Sequence, residues 1–467
     1  MERKTPNYNP SEHTPRMEDA FLTRREALCR TGMGMGALSL AMMLGNQSVH
    51  GASVNPLAAK DPPNPAKAKH VIHIFAGGAP SHVDTFDPKP ALAQFADKTL
   101  PGMDGLAYPS PFKFEKRGKS GIEISEVFPK LGECVDDMCI IRSMYTDVPA
   151  HEPASRFMHT GSLQIPKPSV GSWVVYGLGS ENQNMPGFIS LGGKAEYRQA
   201  SFLPSLYQGV NVNYSANMPL NQVLLNIRNP FTGPDRQREQ LDLARRLNAI
   251  YAEKLNKEEQ LEARIESFEM AFQMQTEATD AFDITKESPE TRQKYGNSEL
   301  GGRLLIARRL VERGVRFVQV FDGGWDHHNN LEQNMRKKAG GIDQPAAALI
   351  NDLKQRGLLD QTLIVWGGEF GRTVTRDRNG NANPGRDHNG KAFCTWMAGG
   401  GVKGGTVHGA TDEFGARAAE SRVHVHDLHA TMLALLGFDH KKLTYRYNGR
   451  DFRLTDNFGN VVQDVIA

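Results

Sequence analysis

Short runs of apolar, mostly β-branched residues that end in glycine recur along the chain after residue 70. The first is HVIHIFAGG from His70, and the same form returns around Ile189, from Gly314, from Gln361 and in KAFCTWMAGGG. Met138–Met144 is a further apolar run, without the closing glycine. Runs of this length without a polar alternation are typical of strands that are buried on both faces of a sheet. The pattern therefore predicts several strands of one mainly parallel sheet.

Stretches with helical periodicity separate these runs. Apolar residues recur at helical spacing over Leu300–Arg313, again from Pro345, and along Asp235–Ala281, which suits one or two amphipathic helices in an insertion at about 235–290. Strands that alternate with helices predict an α/β fold: a three-layer sandwich with a mainly parallel central sheet and helices on both faces.

The N-terminal pattern differs from the rest of the chain. Arg24 and Arg25 precede a short run, Met33–Leu44, that is rich in Gly, Ala and Met. This run is too short to span a bilayer but fits a signal segment, and the paired arginines favour the twin-arginine route. We expect a signal over residues 1–52, a Pro/Ala/Lys-rich linker over 53–69 and one domain over 70–467. The protein is then periplasmic or otherwise exported, with no stable transmembrane segment after signal removal; the alternative is a poor anchor or a buried helix.

Charge and cysteine content give no support for a nucleic-acid partner or for a zinc–thiolate site. The chain has 55 Lys and Arg against 53 Asp and Glu, a net charge of +2, so no basic excess points to a nucleic-acid partner. Cys29 lies in the signal, and Cys134, Cys139 and Cys394 remain. Cys134 and Cys139 could pair, and no cysteine spacing matches a zinc–thiolate site.

Polar clusters follow four of the predicted strands. In sheets of this class, ligands bind beyond the carboxyl ends of the strands. Carboxylates and imidazoles on several such loops are the ligand types for a divalent metal such as zinc, calcium, manganese or magnesium. The clusters contain Ser81, His82, Asp84 and Asp87; Asp322, Asp326, His327 and His328; Glu369 and Arg372; and Arg386, Asp387 and His388.

Structural roles compete with metal binding in several of these clusters. Asp87, in DPKP, is typical of a turn or helix cap, and Asp84 fits a cap as well as a ligand. Glu369 could form an ion pair with Arg372. Asp427 is expected to cap the helix that follows it.

The order of these motifs resembles a known superfamily. The chain reads GGxSHxDTFDPKP, then an H-x-P…TG segment, WDxH, EFGRT, GRDH, a DL-x-x-T-M-L-x-L-L-G helix and a closing NGRDFRLTD at Asn448–Asp456. From His70 to the C-terminus this resembles the alkaline phosphatase and sulfatase superfamily, and more closely an exported domain-of-unknown-function branch of it.

That resemblance implies metal-assisted attack on a phosphate or sulfate ester. By position, Asp326 and His328 resemble one ligand pair, and Glu369 with Asp387 and His388 resembles the other. His82 and Asp84 are then the candidates for the ligand that the first strand contributes.

Two departures from the superfamily affect the expected mechanism. Sulfatases place two acidic residues after the first strand, where this chain has Gly77-Gly78. They place a cysteine or serine nucleophile where this chain has His151, although Pro153 and the Thr-Gly pair at 160–161 are retained. Formylglycine chemistry is therefore not supported, and a metal-activated water would replace the nucleophile.

The remaining polar residues of the HEPASRFMHTG segment then receive catalytic roles. His151 either coordinates the metal or moves protons, and His159 is a second candidate for general acid/base. Arg156 or Arg372 would hold the anionic group through bidentate hydrogen bonds.

Two functions follow from this set of residues. The first is an exported metal-dependent hydrolase of sulfate or phosphate esters, acting on an anionic ester that a sulfated polysaccharide could supply. The alternative is a non-catalytic, sulfatase-like protein that binds sulfated glycans or a protein partner, as expected if the loss of the nucleophile has ended the chemistry.

Overall fold

The structure, a computed structural model, describes residues 56–164, 167–216, 279–376 and 383–467, with isolated positions between 218 and 246. The predicted signal and most of the predicted helical insertion lie outside the described residues. The described residues within 56–216 and 279–467 belong to one compact unit.

The strands and helices of this unit have the following bounds. The strands are β1 His70–Phe75, β2 Leu106–Ala107, β3 Phe114–Arg117, β4 Ile122–Ser125, β5 Met138–Tyr145, β6 Phe188–Leu191, β7 Val210–Val212, β8 Phe317–Phe321, β9 Thr362–Gly367, β10 Gly371–Arg372, β11 Thr375–Arg376, β12 His388–Asn389, β13 Phe393–Ala398, β14 Thr406–His408, β15 Ala410–Thr411, β16 Ala418–Glu420, β17 Val423–His424, β18 Tyr445–Tyr447 and β19 Arg450–Phe452. The α-helices are α1 His151–Thr160, α2 Val170–Leu178, α3 Pro289–Tyr295, α4 Glu299–Glu312, α5 Leu331–Gln355 and α6 Val425–Leu435.

A nine-stranded sheet forms the centre of the unit. Its order is β14-β5-β13-β9-β1-β8-β6-β7, and β17 also pairs with β5. Every pairing is parallel except those of β13, which runs antiparallel to both β5 and β9. The predicted mainly parallel sheet is confirmed, and all six predicted apolar runs form strands of it.

Helices cover both faces of the sheet, as predicted. On one face, Val71 and Phe75 of β1 share a buried core with Trp173 of α2 and Leu433 of α6. Successive side chains of a strand point to opposite faces, so the buried Ile72 faces the other side. Helix α4 packs against β1 and β8 but contributes nothing to the first core, so it covers this second face.

Local signals explain most helix boundaries, and one prediction was wrong. Ser298 caps α4 by accepting a hydrogen bond from the Gly301 N–H, and Asp427 completes a capping box at the start of α6, as expected. The helix predicted to begin at Pro345 begins instead at Leu331. Proline lacks an N–H and usually interrupts a helix, but here the burial of the residues before it outweighs this cost.

The segment before β1 is held against the unit by backbone hydrogen bonds. The Lys60 N–H donates to Leu178 O at 2.8 Å, and the Ala68 N–H donates to Leu435 O at 2.9 Å.

Cys134, Cys139 and Cys394 are buried free thiols. None of the helices in the described part of the chain combines the length and apolar character that a membrane span requires.

Candidate metal centre

The polar loops meet at one edge of the central sheet. Strands β1, β8 and β9 are parallel neighbours, so their carboxyl ends lie side by side. The loop after β8 carries Asp326 and His328, and the loop after β9 carries Glu369 and Arg372. Strand β12 pairs with β10 and sets His388 opposite Arg372. Helix α1, which follows β5, begins with His151.

Four side chains converge here, and we call them the metal-ligand group: His151, Asp326, His328 and His388. One ligand atom from each lies within 4.8 Å of all the others. Oδ1 of Asp326 is 3.3 Å from Nε2 of His151, 3.0 Å from Nε2 of His328 and 3.6 Å from Nε2 of His388. The Nε2 atoms of His328 and His388 are 3.0 Å apart.

The outer nitrogens of His151 and His388 each lie within hydrogen-bonding distance of an oxygen acceptor. Nδ1 of His151 lies 2.6 Å from Oε1 of Glu369, and Nδ1 of His388 lies 3.0 Å from the Pro149 carbonyl. Nδ1 of His328 lies at the longer distance of 3.8 Å from Oδ1 of Asp387. An acceptor at Nδ1 places the proton there and leaves the Nε2 lone pair free, which is the arrangement that metal-binding histidines use.

The donor set and its spacing fit a metal ion. Nε2 of His151 is buried and has no hydrogen-bond partner among the described residues. Ligands at about 2.1 Å from one tetrahedral ion are about 3.4 Å apart. The observed separations between Oδ1 of Asp326 and the three nitrogens scatter around that value.

Electrostatic surroundings shift the pKa values of the group in different directions. The hydrogen bond that His151 donates to the Glu369 carboxylate raises the pKa of His151. Burial opposes ionisation of Asp326, but the hydrogen bond and charge of Arg372 outweigh it and lower the pKa of Asp326 to about 2. Burial, followed by the charge of Arg372, lowers the pKa of His388. Asp326 is therefore ionised, and His388 is neutral at neutral pH.

Glu369 lies behind His151 rather than among the converging atoms. Its side chain is 1% exposed and accepts the Gly78 N–H at 3.0 and 3.3 Å. Gly78 has a φ of +105°, and a Cβ there would lie 2.6 Å from the Asp326 nitrogen. The loop after β1 therefore has no room for a side chain at Gly78.

Arg372 has most of its N–H donors engaged. Its Nε donates to Ala79 O at 2.9 Å, and Nη2 donates to Gly78 O and to Oδ1 of Asp326, each at 2.5 Å. Nη1 donates to Arg386 O at 3.2 Å and lies 3.4 Å from Nε2 of His328. The guanidinium therefore pairs with Asp326, not with Glu369, and oxygen atoms of the protein hold four of its five donors.

The candidates on the loop after β1 have other partners. Asp84 forms a buried bidentate pair with Arg386. Nε2 of His82 lies 2.7 Å from Gly415 O. Asp87, expected in a turn, accepts the Thr411 hydroxyl at 2.5 Å. The structure does not bring these side chains into the metal-ligand group.

The other two catalytic candidates of HEPASRFMHTG also lie apart from the group. His159 is buried, stacks on Tyr197 and has Nδ1 2.7 Å from Ser155 O, and burial lowers its pKa well below the ordinary value. Nε of Arg156 donates to Glu196 at 3.2 Å.

Sequence reasoning missed that Gly78, Pro149 and Arg386 support the ligands. The only sequence signals for them are a glycine after β1, a proline before α1 and the Arg of GRDH.

The sequence of the chain matches a known protein family. A family model described as "Protein of unknown function (DUF1501)" matches residues 68–466. The chain belongs to the DUF1501 family. No curated protein shows a significant sequence match to it.

Several solved structures share a loose likeness with it. Ps i-CgsB in complex with k-i-k-neocarrahexaose is 12% identical, with 79% of this chain and 72% of that one covered and a TM-score of 0.36. The PsFucS1 sulfatase from Pseudoalteromonas sp. is 11% identical, with 79% and 68% covered and a TM-score of 0.34. The zinc complex of the C-terminal periplasmic domain of EcEptC from Escherichia coli is 10% identical, with 81% and 84% covered and a TM-score of 0.33. With scores this low, the likenesses carry no argument about function.

Proposed function

We propose that this chain is an exported metal-dependent hydrolase of sulfate or phosphate esters, and that the metal-ligand group holds its ion. The observation that carries the proposal is the convergence of three imidazole nitrogens and one carboxylate oxygen, with an acceptor oxygen at the outer nitrogens of His151 and His388. Export by the twin-arginine route remains a prediction from the sequence.

The composition of the group favours zinc among the divalent ions considered. Imidazole nitrogens suit zinc and similar transition metals, whereas calcium and magnesium prefer sets made of oxygen ligands. Asp326 adds one negative charge, which a divalent ion compensates. When bound, such an ion lowers the pKa of a coordinated water to about 7 and attracts the anionic ester.

The chain's own residues would position these partners. Glu369 holds the His151 ring through Nδ1, and Arg372 fixes the Asp326 carboxylate. The side chains of Asp326 and His328 are 44% and 42% exposed, so a substrate can reach the group from solvent. Because Arg372 and Arg156 are both engaged with carboxylates, the charge of the ion would be the main attraction for the ester.

The test combines metal analysis with an ester panel. We expect the purified chain to hold one zinc ion and to hydrolyse nitrophenyl sulfate, nitrophenyl phosphate or a phosphodiester analogue. Asp326→Ala and His388→Ala should each lose the ion and the turnover. His408→Ala serves as the control, because His408 lies outside the group near Asp464. Full turnover in chelator-treated protein would contradict the metal role.

One observation favours the non-catalytic alternative as a second candidate. Four protein ligands complete the tetrahedral shell of zinc, as in structural zinc sites, while catalytic zinc keeps one position open. A chain that holds zinc, turns over no ester and binds a sulfated glycan would support this alternative. Turnover that depends on zinc would exclude it.

A further inference from the structure

A buried ion pair lies beneath the loop that carries His388. Nε of Arg386 donates to Oδ2 of Asp84 at 2.6 Å, and Nη2 donates to Oδ1 at 3.0 Å. Both side chains are 0% exposed. The Ser81 hydroxyl adds a third hydrogen bond to Oδ2 at 2.5 Å, and the guanidinium lies 4.7 Å from the centre of the Tyr108 ring. This bidentate, fully enclosed geometry fixes the position of Arg386.

Arg386 also connects the two other loops that build the site. Its backbone N–H donates to His327 O at 3.0 Å, next to His328. Its carbonyl accepts from Nη1 of Arg372 at 3.2 Å, and its own Nη1 donates to Thr373 O at 3.2 Å. One residue therefore contacts the loops after β8 and β9 while it precedes His388 by two positions.

The loops after β8 and before β12 lie in direct backbone contact. The Asn330 N–H donates to Asn383 O at 3.0 Å. A Cβ on Gly385 would lie 2.2 Å from the carbonyl carbon of His328, so no side chain fits between the loops there. A displacement of Arg386 would therefore displace both His328 and His388.

We propose that Asp84 positions His328 and His388 through Arg386, as a positioning residue and not as a metal ligand. The proposal rests on the proposed function only in taking these two histidines as ligands. Among the described residues, Asp84 is the acidic partner of the Arg386 guanidinium, and a buried charge without its partner is strongly destabilising.

Three variants and a control separate positioning from ligation. Asp84→Asn removes the charge at nearly constant size, Arg386→Met removes the guanidinium, and the double variant removes both charges. The control is Asp352→Asn, which weakens another pair with a buried arginine: Nε of Arg308 lies 3.0 Å from Oδ2 of Asp352, and the Arg308 side chain is 0% exposed. That pair joins α4 and α5 rather than the loops of the site.

Two readouts are needed, one of which requires no metal. Hydrogen exchange of chelator-treated protein reports on segments 326–331 and 383–389, and competition with a chromogenic chelator gives the zinc affinity. We expect Asp84→Asn and Arg386→Met to speed exchange in both segments and to weaken zinc binding about 10- to 100-fold. The double variant should bind zinc no more weakly than either single variant, because both act on one interaction. Asp352→Asn should match the wild type in both readouts.

Several outcomes would overturn the proposal. Wild-type exchange in both segments of Asp84→Asn would do so, as would weaker zinc binding in Asp84→Asn with unchanged binding in Arg386→Met, which would make Asp84 a direct ligand. If the wild type binds no zinc, the proposed function fails, and exchange alone decides the positioning role. If a single variant does not fold, exchange in the double variant decides it, since removal of both charges of a buried pair is often tolerated.

Discussion

Glu369 and His151 form a short hydrogen bond that joins the loop after β9 to the start of α1. Oε1 of Glu369 lies 2.6 Å from Nδ1 of His151, and the same oxygen accepts the Gly78 N–H at 3.0 Å. The carboxylate thus holds the ring at Nδ1, so that Nε2 on the other side of the ring points toward Asp326. A carboxylate in this position fixes the tautomer of a ligand histidine and increases its basicity.

Replacement of Glu369 by Gln should weaken metal binding without removing a ligand. We expect about a 10- to 100-fold loss of zinc affinity in Glu369→Gln, because second-sphere partners of ligand histidines have effects of this size. The pKa of His151 should fall at the same time, since the hydrogen bond to the carboxylate is what raises it. Zinc competition and an NMR titration of His151 in chelator-treated protein measure the two effects.

A loss of zinc as complete as in Asp326→Ala would instead make Glu369 a direct ligand. The matched control is Glu312→Gln, which changes a carboxylate paired with Arg308 and should leave both measurements unchanged.

Replacement of Arg372 by Lys tests whether that arginine supports Asp326 or holds the substrate. A lysine has three donors on one atom and cannot reproduce the fork that engages Gly78, Ala79, Asp326 and Arg386. We expect Arg372→Lys to lower both the melting temperature and the zinc affinity. An increase in KM for the ester, with unchanged zinc affinity and melting temperature, would show a substrate contact instead.

The sequence predicts strands and strand-end loops well because both depend on local patterns. Apolar runs mark β1, β5, β6, β8, β9 and β13, and the carboxyl-end rule places Asp326 and His328 at one edge. His388 reaches the same edge because it precedes β13, which runs antiparallel to its neighbours. The start of α5 was missed because the proline rule is local, whereas burial of residues such as Met335 on the helix face before Pro345 depends on packing.

The direction in which a polar side chain points is much harder to predict from the sequence than the loop in which it lies. Asp84 and Glu369 both follow predicted strands and both are acidic, yet each turns inward to a partner that is distant in sequence. Asp84 meets Arg386 across 302 positions. His388 is oriented in part by a backbone carbonyl, that of Pro149, which carries no residue-type signal.

Replacement of Gly78 by Ala should destabilise the chain and disturb the site. A φ of +105° is unfavourable for alanine, and its Cβ would lie 2.6 Å from the Asp326 nitrogen and 2.8 Å from the Trp325 nitrogen. We expect the free energy of unfolding to fall by at least about 2 kcal/mol, from backbone strain and the displaced loop. Gly323→Ala is the matched control in the same loop cluster, because nothing lies within 4 Å of its added Cβ. Equal urea midpoints for the two variants would contradict this account.

Stability should fall as the pH drops below about 6.5, because buried neutral histidines lie in the core. Burial lowers the pKa of His73 to about 4, and the Gln319 amide lies within hydrogen-bonding distance of His73 Nδ1, at 3.2 Å, and of His159 Nε2, at 3.0 Å. Above the ordinary pKa of about 6.5 both the folded and unfolded states are neutral at His73. Below it the unfolded state binds the proton first, so the free energy of unfolding falls by about 1.4 kcal/mol per pH unit and per such group, down to the folded-state pKa. Urea unfolding of chelator-treated wild type and His73→Gln from pH 7.5 to 4.5 measures this, and the variant should show the shallower slope. Groups that do not interact with His73 cancel in the difference, and the replacement also removes the charge by which His73 lowers the pKa of His159 and of His429. Both effects make the slope of the variant shallower, so parallel slopes would contradict a neutral, buried His73.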